Sequence, residues 1–109
     1  MSRYRVSWTD TAKADLLAIV EFIAADSSAN ALQVLDRLEL RAASLEEHRD
    51  RGRLVPELQA IDVSHYRELI EKPWRLNYRV SGRRVLVLAV LDGRRDLQSL
   101  LLERLVRND

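Results

Sequence analysis

The period of the apolar positions changes three times along the chain, and the changes divide it into elements. Residues 4–8 alternate aromatic with small or polar side chains, the period of two expected of a short strand. Thr9 or Asp10 can then cap a helix, because a side-chain oxygen there accepts from the free amides of the first turn. Leu16, Ile19, Val20 and Ile23 recur at helical spacing to about Ala25. Asp26, Ser27 and Ser28 break the pattern and supply a second cap. A second helix follows to about Glu47, with Leu32, Leu35, Leu38, Ala42 and Leu45 as its apolar stripe. A link this short predicts an antiparallel helical hairpin.

Residues 48–53 are polar and basic and include Gly52, and Pro56 with the mixed stretch to Ser64 extends them as a connection. Period two returns at residues 66–71, and Lys72-Pro73 marks a tight turn. Trp74, Leu76, Tyr78 and Val80 alternate with Arg75, Asn77 and Arg79, which predicts a strand with one apolar and one basic face. Trp74, Tyr78 and Trp8 are assigned to the core on this ground. Ser81-Gly82 predicts a hairpin turn. Residues 85–91 are apolar at every position, so this strand should be interior and covered on both faces. Asp92-Gly93 ends it, and Asp96 can cap a last helix carrying Leu97, Leu100, Leu101, Leu105 and Val106. The expected fold is α+β: an N-terminal strand, an antiparallel helical hairpin packed on a small, mainly antiparallel sheet, and a C-terminal helix. Without repeats, low-complexity segments or a linker, residues 1–109 are expected to form a single domain.

Composition narrows the classes. At 47% hydrophobic and 32% charged, the chain falls in the range of globular proteins and not of disordered ones. There is no cysteine, so disulfides and thiolate metal sites are excluded, and His48 and His65 are far apart with no carboxylate cluster between them. No metal site and no cofactor are expected. The first residues lack the apolar centre of a signal peptide, and the longest apolar run is too short to span a bilayer, so a cytoplasmic location is expected.

Net charge is only +1, but its distribution is uneven. Residues 1–47 hold five Lys or Arg against eight Asp or Glu, whereas residues 66–95 hold eight against three. Sixteen of the eighteen basic residues are arginine, which suits bidentate contacts to carboxylate or phosphate. Arg75, Arg79 and Asn77 share one strand face, for which a partner surface and an ordinary polar face, its arginines paired with Glu68 and Glu71, are both open readings. Arg94 and Arg95 lie where the apolar strand ends. His48 sits among Arg49, Arg51 and Arg53 in what reads as a solvated loop, and His65 has no evident role.

Several segments, in order, resemble one family. Gly52-Arg53-Leu54-Val55-Pro56-Glu57 is similar to a Gly-Arg-x-x-Pro-Glu segment, and Tyr66-Arg67-Glu68-Leu69-Ile70 to an Arg-Glu-Leu strand. Trp74-Arg75-Leu76-Asn77-Tyr78-Arg79-Val80 follows an aromatic-Arg-x-x-Tyr-Arg-Val pattern, and Asp92-Gly93-Arg94-Arg95-Asp96-Leu97 resembles a Gly-Arg-Arg-Asp-Leu tail. These are marks of the RelE/ParE toxin superfamily of type II toxin–antitoxin systems, nearer the ParE branch. The resemblance implies a toxin held by a cognate, ParD-like or related antitoxin in a hetero-oligomer. Its RelE branch cleaves messenger RNA on the ribosome, and its ParE branch inhibits DNA gyrase.

RNA cleavage through a 2′-hydroxyl requires a base, an acid and cations around the developing phosphorane. On the strand where nuclease members carry basic residues this chain has Arg67, Leu69 and Glu71, and no Tyr or His follows Tyr78. That weighs against catalysis and toward a gyrase-inhibiting protein. The partner or target surface is then expected at Arg67, Arg75, Arg79, Arg94 and Arg95. The alternatives are a ribosome-dependent endoribonuclease holding phosphate with Arg53, Arg67, Arg75 and Arg94, and a non-toxic binding member. The leucine-rich residues 97–106 are expected to complete the core or meet a partner, so that their deletion would disturb folding or target action.

Overall fold

The computed structural model describes residues 3–94 together with Leu101 and Glu103. Strand β1 (Arg5–Trp8) leads into helix α1 (Asp10–Ala24), whose cap is Thr9: its side chain accepts from the amide of Ala12 at 3.1 Å. Helix α2 (Ser28–Ala43) is capped in the same way by Ser27 and tightens into a 3-10 turn over Ser44–Glu46. Both caps satisfy first-turn amides that have no carbonyl partner inside the helix.

The stretch expected to be a plain connection contains two further elements, strand β2 (Arg53–Leu54) and the single-turn helix α3 (Pro56–Gln59). Pro56 opens that turn, where a missing amide costs nothing. Strands β3 (Arg67–Glu71), β4 (Trp74–Ser81) and β5 (Arg84–Asp92) follow as two hairpins. The sheet order is β1-β5-β4-β3-β2, with β1 parallel to β5 and every other pair antiparallel. The expected α+β architecture and mainly antiparallel sheet are therefore present. Of the expected C-terminal helix, all but Leu101 and Glu103 lies outside the described residues, and Leu101 is fully buried.

Helices α1 and α2 cover one face of the sheet. Val34, Leu38, Ala42 and Leu45 pack there with Leu69, Leu76, Tyr78, Val85, Val87 and Val90. Val55, Leu58, Tyr66, Leu88, Ala89, Leu91 and Leu101 form a second cluster. A bulge explains how β5 feeds both: Tyr78 pairs with Val87 but Asn77 with Ala89, so Leu88 is an extra residue and the inward parity switches beyond it. Where β1 stops at Trp8, α1 takes over the edge of β5, and Asp15 accepts from the amide of Val90 at 3.1 Å.

The α2 stripe corrects the expected one. Ala31, Val34, Leu38 and Ala42 are its buried residues, while Leu32 is 60% exposed. Hydrophobicity ranks Leu32 above Ala31, but the 31-34-38-42-45 phase is the one that lies over the sheet.

Candidate functional site

The strand face for which a partner surface and a paired polar face were both open readings is closed over, and Arg75 is paired inside. In the β3–β4 register Glu68 lies opposite Asn77, and Ile70 opposite Arg75, so Arg75 is diagonal to Glu68 on the same face. Glu68 is buried and accepts from Arg75 Nε at 2.8 Å, Arg75 Nη2 at 2.9 Å, Asn77 Nδ2 at 3.0 Å and Arg53 Nε at 2.8 Å. The other edge of the Arg75 guanidinium donates to both oxygens of Glu57, Nη1 at 2.7 Å and Nη2 at 2.6 Å. Helix α3 supplies Glu57, and β2 supplies Arg53.

Two carboxylates thus clamp one buried guanidinium, and a second arginine completes the charge balance. A buried ionic group is tolerable when its donors and acceptors are matched in this way. Hydrogen bonds from Arg75 hold the Glu57 carboxyl below its usual range, and those same bonds, led by Glu57, raise Arg75 further above its own. Neither group is available as a proton carrier at neutral pH.

Beside this cluster a cleft of about 350 Å³ is lined by Arg53, Ile70, Lys72, Pro73, Arg75, Gly93 and Arg94. It brings together Arg53, Arg75 and Arg94. Arg94 is largely exposed and forks onto Asp92, Nε at 2.9 Å and Nη2 at 2.7 Å, which raises its pKa. Arg67 does not line the cleft; its guanidinium donates to the carbonyl of Gly52 at 2.8 Å. Arg79 is half-buried farther along β4, and Arg95 lies outside the described residues. Glu71 pairs with Arg37 and Arg41 of α2 at 3.5 and 3.6 Å, not with a strand arginine.

Sequence reasoning missed the roles of Glu57 and Asn77, while pairing of this face's arginines with Glu68 was one of its two open readings. Glu57 was visible in the Gly-Arg-x-x-Pro-Glu segment, and Glu68 at the inward position of its strand, but their meeting depends on α3 folding back over the sheet. It also missed Tyr78 as an anchor. Its hydroxyl accepts from the Gly52 amide at 2.9 Å and donates to the Arg49 carbonyl at 2.7 Å. Gly52 permits this approach, since a Cβ there would stand 2.6 Å from the Glu68 carbonyl and 2.7 Å from the Tyr78 ring. The loop so pinned borders a second, polar cleft of about 540 Å³ lined by Tyr4, Glu47, His48, Arg49, Asp50 and Arg51, with the Arg49 guanidinium 4.9 Å over the Tyr4 ring. The His65 ring packs against Tyr66, tilted by 39°. Among the described residues no three His, Asp or Glu side chains are grouped to hold a metal, and no helix is long and apolar enough to cross a membrane.

Comparison with known proteins adds two findings. A family model described as ParE toxin of type II toxin-antitoxin system, parDE, matches residues 6–97. A solved structure described as the chromosomal ParDE TA system from P. aeruginosa is similar in fold, with a TM-score of 0.67 and 24% identity, over 83% of this chain and 96% of that chain. No curated protein matches.

Proposed function

The chain belongs to the ParE toxin family of type II toxin–antitoxin systems, and on that premise we propose that it inhibits DNA gyrase by binding it and is neutralised by a cognate, ParD-like antitoxin. The observation that carries the choice of mechanism is the double clamp on Arg75. Phosphoryl transfer at the cleft requires cations free to meet a developing negative charge. Here the three arginines of the cleft are held, Arg75 by Glu57 and Glu68, Arg53 by Glu68 and Arg94 by Asp92, which leaves Lys72, among the described residues, to meet such a charge. Among the described residues the cleft lining also has no His or Tyr to move a proton. A binding protein needs neither.

The same geometry gives the endoribonuclease reading its one supporting feature, since Arg53, Arg75 and Arg94 do share a cleft. An antitoxin surface is supported elsewhere, on the helical hairpin. A groove of about 320 Å³ runs between Trp8, Leu16, Leu17, Val20 and Leu35, with Lys13 and Glu39 also in its lining. Phe22, Leu32 and Leu40 add exposed apolar area on the same two helices. Exposed apolar area of this extent supports a protein partner.

The test is to add the purified chain to gyrase and relaxed plasmid, and separately to a translating extract. Loss of supercoiling with intact messages is expected. Cut messages with undisturbed supercoiling would transfer the proposal to the ribosome. Harmless expression without any antitoxin, with both assays unaffected, would leave only a binding member of the family.

A further inference from the structure

Arg5, Arg83 and Arg84 stand apart from every ion pair described above. Arg5 opens β1 and Arg84 opens β5, and the parallel register makes them direct partners, so their side chains leave the same face of adjacent strands about 4.8 Å apart. Arg83 is the next residue in the turn, and its carbonyl accepts from the Arg5 amide at 2.9 Å, which ties the three positions into one rigid corner. All three are exposed. Elsewhere the chain matches arginine with carboxylate: Arg3 with Glu46, Arg49 with Asp50, Arg53 and Arg75 with Glu68, Arg94 with Asp92. Among the described residues no carboxylate pairs with Arg5, Arg83 or Arg84. Like charges set directly opposite destabilise a sheet, and an external anion would relieve that repulsion.

The surroundings select the anion. Ser81 and Gly82 beside the arginines are exposed, and Gly82, at φ 61°, has nothing within 4 Å of where a Cβ would sit, so the tip projects into open space. Leu17, Phe22, Leu32, Leu40, Ile61 and Ile70 are the exposed large hydrophobics of the described residues, and all lie on other elements. A tight protein interface sets its arginines among buried apolar or aromatic anchors, and among the described residues no exposed large hydrophobic lies at this corner. Single strands are held by stacking bases on aromatic rings, but the nearby rings are engaged elsewhere, Tyr4 under the Arg49 guanidinium and Trp8 in the groove of the helical hairpin. The phosphate backbone of a duplex needs only guanidinium, hydroxyl and backbone amide groups on a firm support.

We propose that Arg5, Arg83 and Arg84 form a site for the phosphodiester backbone of duplex DNA, which binds without reading sequence. The inference is independent of which target the toxin inhibits. Three phosphates neutralised give a log–log salt slope of about −2.7 and a dissociation constant on the order of 10⁻⁴ to 10⁻⁶ M.

Fluorescence anisotropy of a labelled DNA duplex, titrated with the purified chain from about 50 to 200 mM salt, tests it. Equal binding to two unrelated sequences, weakening with that slope, is expected. The triple variant Arg5→Gln, Arg83→Gln, Arg84→Gln should lose at least tenfold in affinity, while Arg37→Gln, which also removes a positive charge, keeps it. Should the triple variant fold poorly by circular dichroism, Arg83→Gln alone, at the turn, should still weaken binding about threefold by losing one of the three contacts. Undiminished binding by the folded variants would overturn the proposal. So would a preference for polyglutamate, which indicates an acidic protein, or for single-stranded RNA over the duplex.

Discussion

The hydroxyl of Tyr78 ties strand β4 to the loop that follows the helical hairpin, and its two partners lie 26 and 29 residues away in sequence. Alternation along residues 74–80 identified Tyr78 as core, but periodicity is blind to what a hydroxyl meets at that distance. Burial pushes the phenol up from its ordinary value, as expected of a group held away from water. Tyr78→Phe should therefore cost about 1–3 kcal/mol, because a buried donor and a carbonyl lose their partner together. Gly52→Ala should cost a similar amount, about 1–3 kcal/mol, by forcing a methyl against a backbone oxygen that cannot retreat. Urea unfolding of both variants measures this, and an unchanged midpoint in either would show that the loop is not anchored as described. Glu57 makes a pH-dependent contribution. Its folded pKa lies below the ordinary 4.5, chiefly through the Arg75 hydrogen bonds, so that contribution is complete above 4.5 and is lost as pH falls through the depressed folded value. Melting temperature followed from about pH 6 to about pH 3 should fall more steeply for the native chain than for Glu57→Gln.

Among the elements, the sequence was most legible where the pattern was long. The caps of both helices, the two hairpins and the apolar β5 all lie where period and turn residues put them. The α2 stripe was half legible, because alanine and leucine alternate around the helix and hydrophobicity alone does not set its phase. Leu38, fully buried, belongs to both stripes, whereas Leu32, 60% exposed, belongs to the expected one alone. Leu38→Ala should cost about 2–5 kcal/mol, and Leu32→Ala within about 0.5 kcal/mol, by chemical denaturation. Comparable losses at the two sites would restore the phase expected from hydrophobicity. Helix α3 and strand β2 were not legible, since a four-residue helix and a two-residue strand carry too few positions to show a period. That gap misdirected the site: without α3 nothing covers Arg75, and a buried salt cluster reads as a binding face.

On the scale of the whole molecule, the sheet separates two cores of different completeness. The helix side is closed by α1 and α2, whereas the second cluster draws Leu101 from a segment of which Leu101 and Glu103 are the described residues. Leu101→Ala should destabilise the chain by about 2–5 kcal/mol, as for any fully buried leucine. Removing residues 97–109 should do so more severely, with loss of the native circular dichroism spectrum. A truncated chain that keeps its melting temperature would mean that the second cluster closes without Leu101. The pairing of β1 with β5 has a consequence in time. Arg5 waits for Arg84, so the first strand made has no neighbour until the last strand is made. Closing so long a loop before any contact rewards it slows folding. A nascent chain therefore cannot pair its first strand, and so cannot complete the sheet, until residues 84–92 have been made.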